Sequence, residues 1–258
     1  FYALRSYRPA WTMTEGSFTL ADELLQCIED ARQDGLPPRH YHLDPIRRLL
    51  ATAKLQAAAG LPLDPDLLAD LEFLLTDAFL MLGSHLRAGR VNPETLDTEW
   101  LVQIDPEVGL AQILQRAIES RRIGEALEGF RPPHPEYTAL KKALKHYHTF
   151  GEAAEWPRLP LKAFWEREQN GEIADLLRER LSLSGDLPQR PGGAGADADL
   201  ELFEGLRRFQ ARHGLEVDGR MGTQTLQALN VSLKERTRQI ELNLERWRWL
   251  PRELGARH

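Results

Sequence analysis

The chain has 258 residues, of which 42% are hydrophobic, and it carries a formal net charge of -6. That length and apolar content exclude an intrinsically disordered chain and allow one large domain or two. The charge balance gives no argument for nucleic acid as a partner, and no run of about 18 apolar residues predicts a membrane span. A single cysteine excludes an internal disulfide.

Most of the sequence before residue 184 predicts helices. Thr19 is a candidate cap for a first helix over about residues 20–33, which Gly35 ends. Three later helix starts are predicted by one pattern, a hydrogen-bond acceptor at the N-cap followed by a proline at the first helical position. They are Asp44-Pro45, Asp64-Pro65 and Asp105-Pro106. The second of them opens the broadest apolar face in the chain, so we predict that its helix forms the centre of the N-terminal core.

A later predicted helix follows Pro135 and has two contrasting sides. One side is aromatic and aliphatic, and the other carries three lysines, Lys141, Lys142 and Lys145. We interpret these lysines as a solvated face.

Residues 184–199 interrupt the helical pattern. The stretch SGDLPQRPGGAGADAD is rich in Gly, Pro, Ala and Asp and has no periodic apolar set, which is typical of a linker. We therefore predict a helical domain over residues 1–183 and a second, small domain after the linker.

The stretch from Phe203 to Asn230 has the most specific pattern in the chain. Its first half spaces apolar residues on one helical stripe, and Gly214 follows where a helix C-terminus favours a left-handed residue. Asp218-Gly219 predicts a tight turn, and Gly222-Thr223 opens a second helix. Together these elements predict a very small helix-turn-helix core in which the glycines serve the turns.

The same stretch resembles the bacterial peptidoglycan-binding domain, a three-helix module appended to many cell-wall enzymes. The matching positions are Phe209-Gln210, Gly214-Leu215, Asp218-Gly219, Gly222 and Thr225. The resemblance implies that the partner is peptidoglycan, through its glycan strand or its stem peptide. Five polar residues are candidate wall contacts: Gln210, His213, Asp218, Arg220 and Gln224. A solvated or turn-capping role is the alternative for each of them.

The sequence contains no complete catalytic apparatus. Cys27 falls on the apolar stripe of the first predicted helix, which favours a packing role over a nucleophile. The triplets His40-Tyr41-His42 and His146-Tyr147-His148 lack a third ligand at a fixed spacing, so we predict no metal site. Asp105 and Glu107 flank a predicted helix start, where capping explains them without a glycosidase acid pair. We expect no cofactor and no catalytic residue in this chain.

The last predicted helix begins at the capping box Ser232-Leu233-Lys234-Glu235. Near its end, Arg246-Trp247-Arg248-Trp249 interleaves cations and aromatic rings, a pattern that also occurs where proteins stack on nucleic-acid bases. We favour a structural interpretation, in which Trp247 continues the helix stripe and the arginines pair with acids or stack on rings.

Several segments together resemble the large, scaffold-bearing murein L,D-transpeptidases of Gram-negative bacteria. They are residues 1–11 (FYALRSYRPAW), 74–93, 178–186, the small motif domain and 243–251 (NLERWRWLP). In that family a catalytic domain follows the RWRWLP segment, and its nucleophile is a cysteine in a Ser-x-Gly-Cys-x-Arg context. Cys27 does not match that context, so no catalytic residue is carried over.

Periodicity and resemblance together predict an all-α fold. An irregular multi-helix scaffold domain covers residues 1–183, the linker residues 184–199, and a small three-helix peptidoglycan-binding domain residues 200–231. Residues 232–258 are a C-terminal helix that leads to a catalytic domain absent from this chain. The resemblance implies a periplasmic protein whose partners are peptidoglycan and its own C-terminal catalytic domain.

Two other classes of protein stay open at this point. A stand-alone, non-enzymatic wall-binding adaptor would carry the same motif, and the reading frame after His258 would distinguish it from a transpeptidase. A wall hydrolase would need a carboxylate pair or a metal in the helical domain.

Overall fold

The computed structural model describes residues 1–11, 18–95, 109–151, 155–161, 163, 165, 171–188 and 196–253. Within these residues ten α-helices form and no strand does, which confirms the predicted all-α class. The helices are α1 (Thr19–Asp30), α2 (Leu43–Ala58), α3 (Pro65–Ala88), α4 (Leu110–Ser120), α5 (Ile123–Glu128), α6 (Pro135–His148), α7 (Glu172–Leu183), α8 (Ala196–Arg212), α9 (Thr223–Leu229) and α10 (Leu233–Arg248). Short 3-10 helices cover Tyr2–Arg5, Ala31–Asp34, Pro38–Tyr41 and Pro93–Thr95.

The chain divides into two compact units, each described by itself below. Unit 1 comprises Phe1–His146 and Gln239–His258, and unit 2 comprises Tyr147–Arg238. Among the described helices, none combines the length and apolarity that crossing a membrane requires.

The core of unit 1 is organised around α3, as its apolar face predicted. Leu71, Leu75 and Phe79 of this helix have no exposed surface, and α3 packs against α1, α2, α4 and α5. Asp64 caps α3, because its carboxylate accepts a hydrogen bond from the backbone N–H of Asp66 at 3.0 Å. The predicted start at Asp64-Pro65 is therefore confirmed.

Two other predicted helix caps were wrong. Phe18 occupies the N-cap of α1, and Thr19 is already helical. His42 occupies the N-cap of α2 in a left-handed conformation, which moves Asp44 into the first turn. There its carboxylate still lies at the positive end of the helix dipole. The start predicted at Asp105-Pro106 lies outside the described residues.

A buried carboxylate ties several segments of unit 1 together. Asp34 has no exposed surface, and it accepts hydrogen bonds from Arg131 at 2.8 Å and from the Tyr137 hydroxyl at 2.9 Å. The Lys141 ammonium lies 3.3 Å from the same carboxylate, and Arg248 of α10 donates to the Asp34 backbone carbonyl. Burial alone would raise the pKa of Asp34, but Arg131 and Lys141 hold it below its ordinary value.

Two predictions about these helices have opposite outcomes. The solvated-face interpretation was wrong for Lys141, whose side chain is mostly buried beside Asp34. The structural interpretation of the C-terminal aromatic segment is confirmed. Trp247 packs in a small core between α6 and α10, and Arg248 pairs with Glu245 at 2.7 Å and lies over the Tyr137 ring.

Unit 2 has a smaller core, which α7, α8 and α9 build together. Leu177, Leu206 and Leu229, one from each helix, are buried in it. The segment before α7 joins the same core through Trp165, whose backbone carbonyl accepts a hydrogen bond from the Met221 N–H at 2.9 Å. The small domain is thus a three-helix structure with an extended segment packed on it.

The predicted domain limits, with a linker over residues 184–199, stay predictions. Leu181 of α7 falls within the predicted scaffold domain, yet it shares the core of unit 2 with Leu202 and Leu206. This packing favours an earlier start for the small domain. Residues 189–195 of the predicted linker lie outside the described residues.

Candidate functional site

The candidate site lies at the connection between α8 and α9, where two residues have left-handed backbone conformations. Gly214 follows α8 with a φ of +64°, and Gly219 forms the turn with a φ of +72°. A Cβ at Gly219 would lie 2.2 Å from the ring of Phe203. Glycine is therefore required at residue 219 by both the backbone and the close approach of the ring.

Gln210 holds this turn from inside. Its side chain is 1% exposed, and its amide nitrogen donates to Asp218 Oδ1 at 2.8 Å and to the Arg220 carbonyl at 3.0 Å. Its amide oxygen accepts from the Gly219 N–H at 2.8 Å. The prediction that Gln210 contacts the wall stays untested, and such a contact would require Gln210 to break these internal bonds.

Three of the candidate contacts, Asp218, Arg220 and Gln224, are exposed on and beside the turn. Asp218 has a structural role as well, since its Oδ1 also accepts the Arg220 N–H at 2.8 Å. Partial burial would raise the pKa of Asp218, but this backbone bond and the Gln210 amide lower it. Arg220 in the turn and Gln224 at the start of α9 thus present a cation and an amide to solvent.

His213 directly follows α8, and its backbone N–H donates to the Gln210 carbonyl at 3.1 Å. Its ring packs against Phe209 with 4.2 Å between the ring centroids. Burial, followed by the charges of Arg236 and Arg212, lowers the pKa of His213 to about 4. The imidazole is therefore neutral at pH 7 and offers a hydrogen-bonding group rather than a charge.

A buried cation lies in the same unit, and the sequence analysis did not identify it. Arg180 of α7 has no exposed surface, its Nε donates to the Leu229 carbonyl at 2.9 Å, and its guanidinium covers the Trp156 ring. In the part of the chain that the structure describes, its Nη1 has no hydrogen-bond partner. Burial, with the neighbouring charge of Arg236, lowers the pKa of Arg180 to about 9.

Two more arginines belong to this positive region. Arg212 of α8 makes a bidentate contact with the Asp186 carboxylate, at 3.2 and 2.7 Å. Arg236 of α10 donates to the Ala228 carbonyl at 2.8 Å. Partial burial lowers the pKa of Arg236, whereas Asp186 outweighs burial and raises that of Arg212.

These three arginines make this part of unit 2 electrically positive, but Arg180 is buried and Arg212 is paired with Asp186. The arginines come from α7, α8 and α10, so sequence spacing could not bring them together. One signal was available for Arg180, which lies beside the apolar positions Leu177 and Leu181 of α7. A cation at such a position needs a buried partner or a ligand.

Cys27 does not have the environment of a nucleophile. Cys27 is partly buried in unit 1, where burial raises the pKa of its thiol to about 11. That shift disfavours the thiolate, which is the nucleophilic form. Among the described residues, no three His, Cys, Asp or Glu side chains converge to hold a metal ion. The candidate carboxylates Asp105 and Glu107 lie outside the described residues.

Comparison with known protein families places one match in each unit. Residues 170–229 match the peptidoglycan binding domain, and residues 1–144 match the scaffold domain. Fold and matches together define the class, a helical scaffold joined to a domain that binds the cell wall. The scaffold-domain match covers more than half of the chain, so the protein belongs to the scaffold-domain family. No curated protein matches the sequence.

The second match also bears on partner and location. A peptidoglycan binding domain indicates peptidoglycan as the partner of unit 2 and a cell-wall-associated location for the protein. The five candidate contact residues all lie within the matched residues, in α8, in α9 or in the connection between them.

Proposed function

We propose that the chain is the wall-binding and scaffolding part of a periplasmic L,D-transpeptidase that crosslinks or remodels peptidoglycan. The observation that carries the proposal is the presence in one chain of a scaffold domain and a peptidoglycan binding domain. The resemblance of the segment NLERWRWLP to the family's connection into its catalytic domain supports the transpeptidase parent.

In this proposal, unit 2 binds the wall through the face that carries Arg220 and Gln224. Both side chains are exposed, and the buried Gln210 amide fixes the turn that presents them. Ordering the turn before binding reduces the conformational entropy lost on association. The positive charge of Arg220 suits the stem-peptide carboxylates, and the Gln224 amide suits sugar hydroxyls or peptide groups.

The chemistry is assigned to a domain that follows this chain in the parent protein. There a cysteine thiolate would attack the L,D bond of a donor tetrapeptide, release the terminal residue and form an acyl-cysteine. An acceptor amine would then take the acyl group and free the thiolate. The present chain would hold the substrate near that centre, which raises its effective concentration.

The wall-contact part of the proposal is tested by co-sedimentation with purified sacculi. We expect the double variant Arg220→Ala/Gln224→Ala to lose about tenfold in affinity, because it removes a charge-assisted contact and an amide contact. The matched control Gln26→Ala/Arg48→Ala removes the same two residue types from exposed positions of unit 1 and should bind like wild type. Equal losses in both double variants would contradict the assigned face.

The transpeptidase part is tested by the native reading frame. A continuation beyond His258 that encodes a cysteine in a Ser-x-Gly-Cys-x-Arg context is expected, and replacing that cysteine with alanine should abolish 3-3 crosslink formation by the complete protein. A frame that ends without such a domain would instead support a non-enzymatic wall adaptor.

A further inference from the structure

A concave pocket of about 260 Å³ lies on unit 1, along α6 and the segment that follows α5. Thr138, Lys141, Lys142 and Lys145 line one side of it. Their spacing, at i, i+3, i+4 and i+7, places a hydroxyl and three ammonium groups on one helical face. Arg131 contributes a fourth cation to the lining.

Two of the four cations are neutralised within the protein. Arg131 pairs with the buried Asp34 at 2.8 Å and with Glu128 at 2.5 Å. Lys141 lies 3.3 Å from Asp34. These two cations and two carboxylates balance one another, and the buried Asp34 fixes the positions of Arg131 and Lys141 in the pocket lining.

The other two cations are not neutralised in the described part of the chain. Lys142 and Lys145 are exposed at the pocket and enter no ion pair with any described residue. The pocket therefore carries a surplus of two positive charges beside the Thr138 hydroxyl, which can donate a hydrogen bond. A surplus of this kind favours a ligand group with two negative charges.

The volume of the pocket limits what can enter it. Ligand pockets usually exceed about 300 Å³, so a pocket of about 260 Å³ accepts the end of a larger molecule rather than a long stretch of polymer. Exposed lysines alone are ordinarily a solvated surface, as the sequence analysis assumed. The concave shape, and the fixed cations Arg131 and Lys141 that share the lining with Lys142 and Lys145, distinguish this face from such a surface.

We propose that this pocket binds the paired carboxylates of a peptidoglycan stem peptide, as a wall-binding site of unit 1 in addition to the site of unit 2. The proposal rests on the proposed function for the choice of ligand, since the wall supplies peptides with free carboxylates. It gives the scaffold domain a binding role of its own. With two sites on one chain, retention on the wall gains from avidity.

The test uses the full chain and calorimetric titration with a free stem tetrapeptide, in the Arg220→Ala/Gln224→Ala background so that the assigned face of unit 2 does not contribute. Adding Lys142→Gln/Lys145→Gln should weaken binding about tenfold, because two charge-assisted contacts are lost. The matched control Arg48→Gln/Lys54→Gln removes two exposed cations of α2 and should stay within about twofold of its parent. Amidation of the peptide carboxylates should weaken binding as much as the lysine substitutions do.

Three outcomes would overturn the inference. They are no measurable tetrapeptide binding, equal effects of the two double substitutions, or tighter binding of inorganic phosphate than of the tetrapeptide, which would assign the pocket to phosphate-bearing ligands. Both lysines are exposed and outside the Asp34 network, so the variant should keep the wild-type melting temperature. If the tetrapeptide titration fails while the wild-type chain is still retained on sacculi, the proposed function stands and only this inference is overturned. If the wild-type chain is not retained on sacculi at all, the proposed function itself is contradicted.

Discussion

Unit 1 and unit 2 each bury a charged side chain without exposed surface, but they surround it differently. In unit 1 the Asp34 carboxylate meets Arg131, Lys141 and the Tyr137 hydroxyl. In unit 2 the Arg180 guanidinium meets a backbone carbonyl and an aromatic ring, and its Nη1 has no hydrogen-bond partner among the described residues. The first arrangement is balanced in charge and stabilises the fold. In the second, no described carboxylate forms an ion pair with the cation, so we expect Arg180 to contribute less to stability than Asp34 does.

The substitution Asp34→Asn should cause the largest change in stability. It removes the buried charged partner of Arg131 and leaves only the exposed Glu128, so the free energy of unfolding of unit 1 should fall by about 3–5 kcal/mol. Urea unfolding followed by circular dichroism measures the change. The control Asp44→Asn alters an exposed carboxylate and should change stability by less than about 0.5 kcal/mol. A similar small change for Asp34→Asn would show that the network does not hold unit 1 together.

Unit 2 depends instead on its turn, which Gly219→Ala should disrupt. The substitution forces alanine into a left-handed conformation and drives its Cβ into the Phe203 ring. We expect a loss of about 2–4 kcal/mol in the free energy of unfolding. Gly222→Ala is the matched control, since Gly222 has an extended φ of -79° and no atom near an added Cβ. Urea unfolding followed by tryptophan fluorescence should separate the two variants, and equal stabilities would contradict the structure of the turn.

The substitution Arg180→Met tests whether the two buried charges differ in their contribution to stability. Methionine fills a similar volume without a charge, so the free energy of unfolding of unit 2 should change by no more than about 1 kcal/mol. The measurement is the same urea titration, with retention on sacculi measured in parallel. We expect retention to stay close to that of wild type, because Arg180 has no exposed surface and the assigned wall-contact face carries Arg220 and Gln224. A loss of stability above about 3 kcal/mol would place Arg180 in the same class as Asp34.

The last expected effect is a pH dependence to which unit 2 contributes through His213. The pKa of His213 is about 4 in the folded chain, and an unfolded histidine has an ordinary pKa of about 6.5. As the pH falls between these values, the unfolded state binds a proton that the folded state excludes, so stability decreases. His213→Gln should reduce this slope, and the control His146→Gln, on an exposed side chain, should retain it. His85 of unit 1, whose pKa burial also lowers, accounts for part of the slope that remains. Urea titrations between pH 7 and about pH 4 measure the slopes.

Local features of the fold were predictable from the sequence, and contacts between distant residues were not. The apolar stripe of α3, the Asp64 cap and the turn glycines depend on spacings within a few residues, which periodicity reports directly. The pair of Lys141 with Asp34 joins residues far apart in the chain, so the lysine appeared to be solvated. The predicted helix caps Thr19 and Asp44 were wrong because Phe18 and His42, respectively, occupy the N-cap positions.

The candidate site shows the same difference between local features and contacts of distant residues. The turn around Gly219 was predictable, because a left-handed residue after Asp218 has a compositional signature. The burial of Gln210 was not, because its amide satisfies backbone groups of a turn that only the folded chain assembles. The arginines of α7, α8 and α10 converge through tertiary packing, which a single sequence does not encode as a spacing.

The central claim is that this chain binds peptidoglycan, and retention on purified sacculi tests it most directly. The full wild-type chain is mixed with sacculi, sedimented, and compared with a protein of similar size that does not bind the wall. We expect the chain in the pellet at low salt, with retention falling as salt rises, because cations contribute to the contact. A pellet fraction no greater than that of the control protein at every salt concentration would contradict the account.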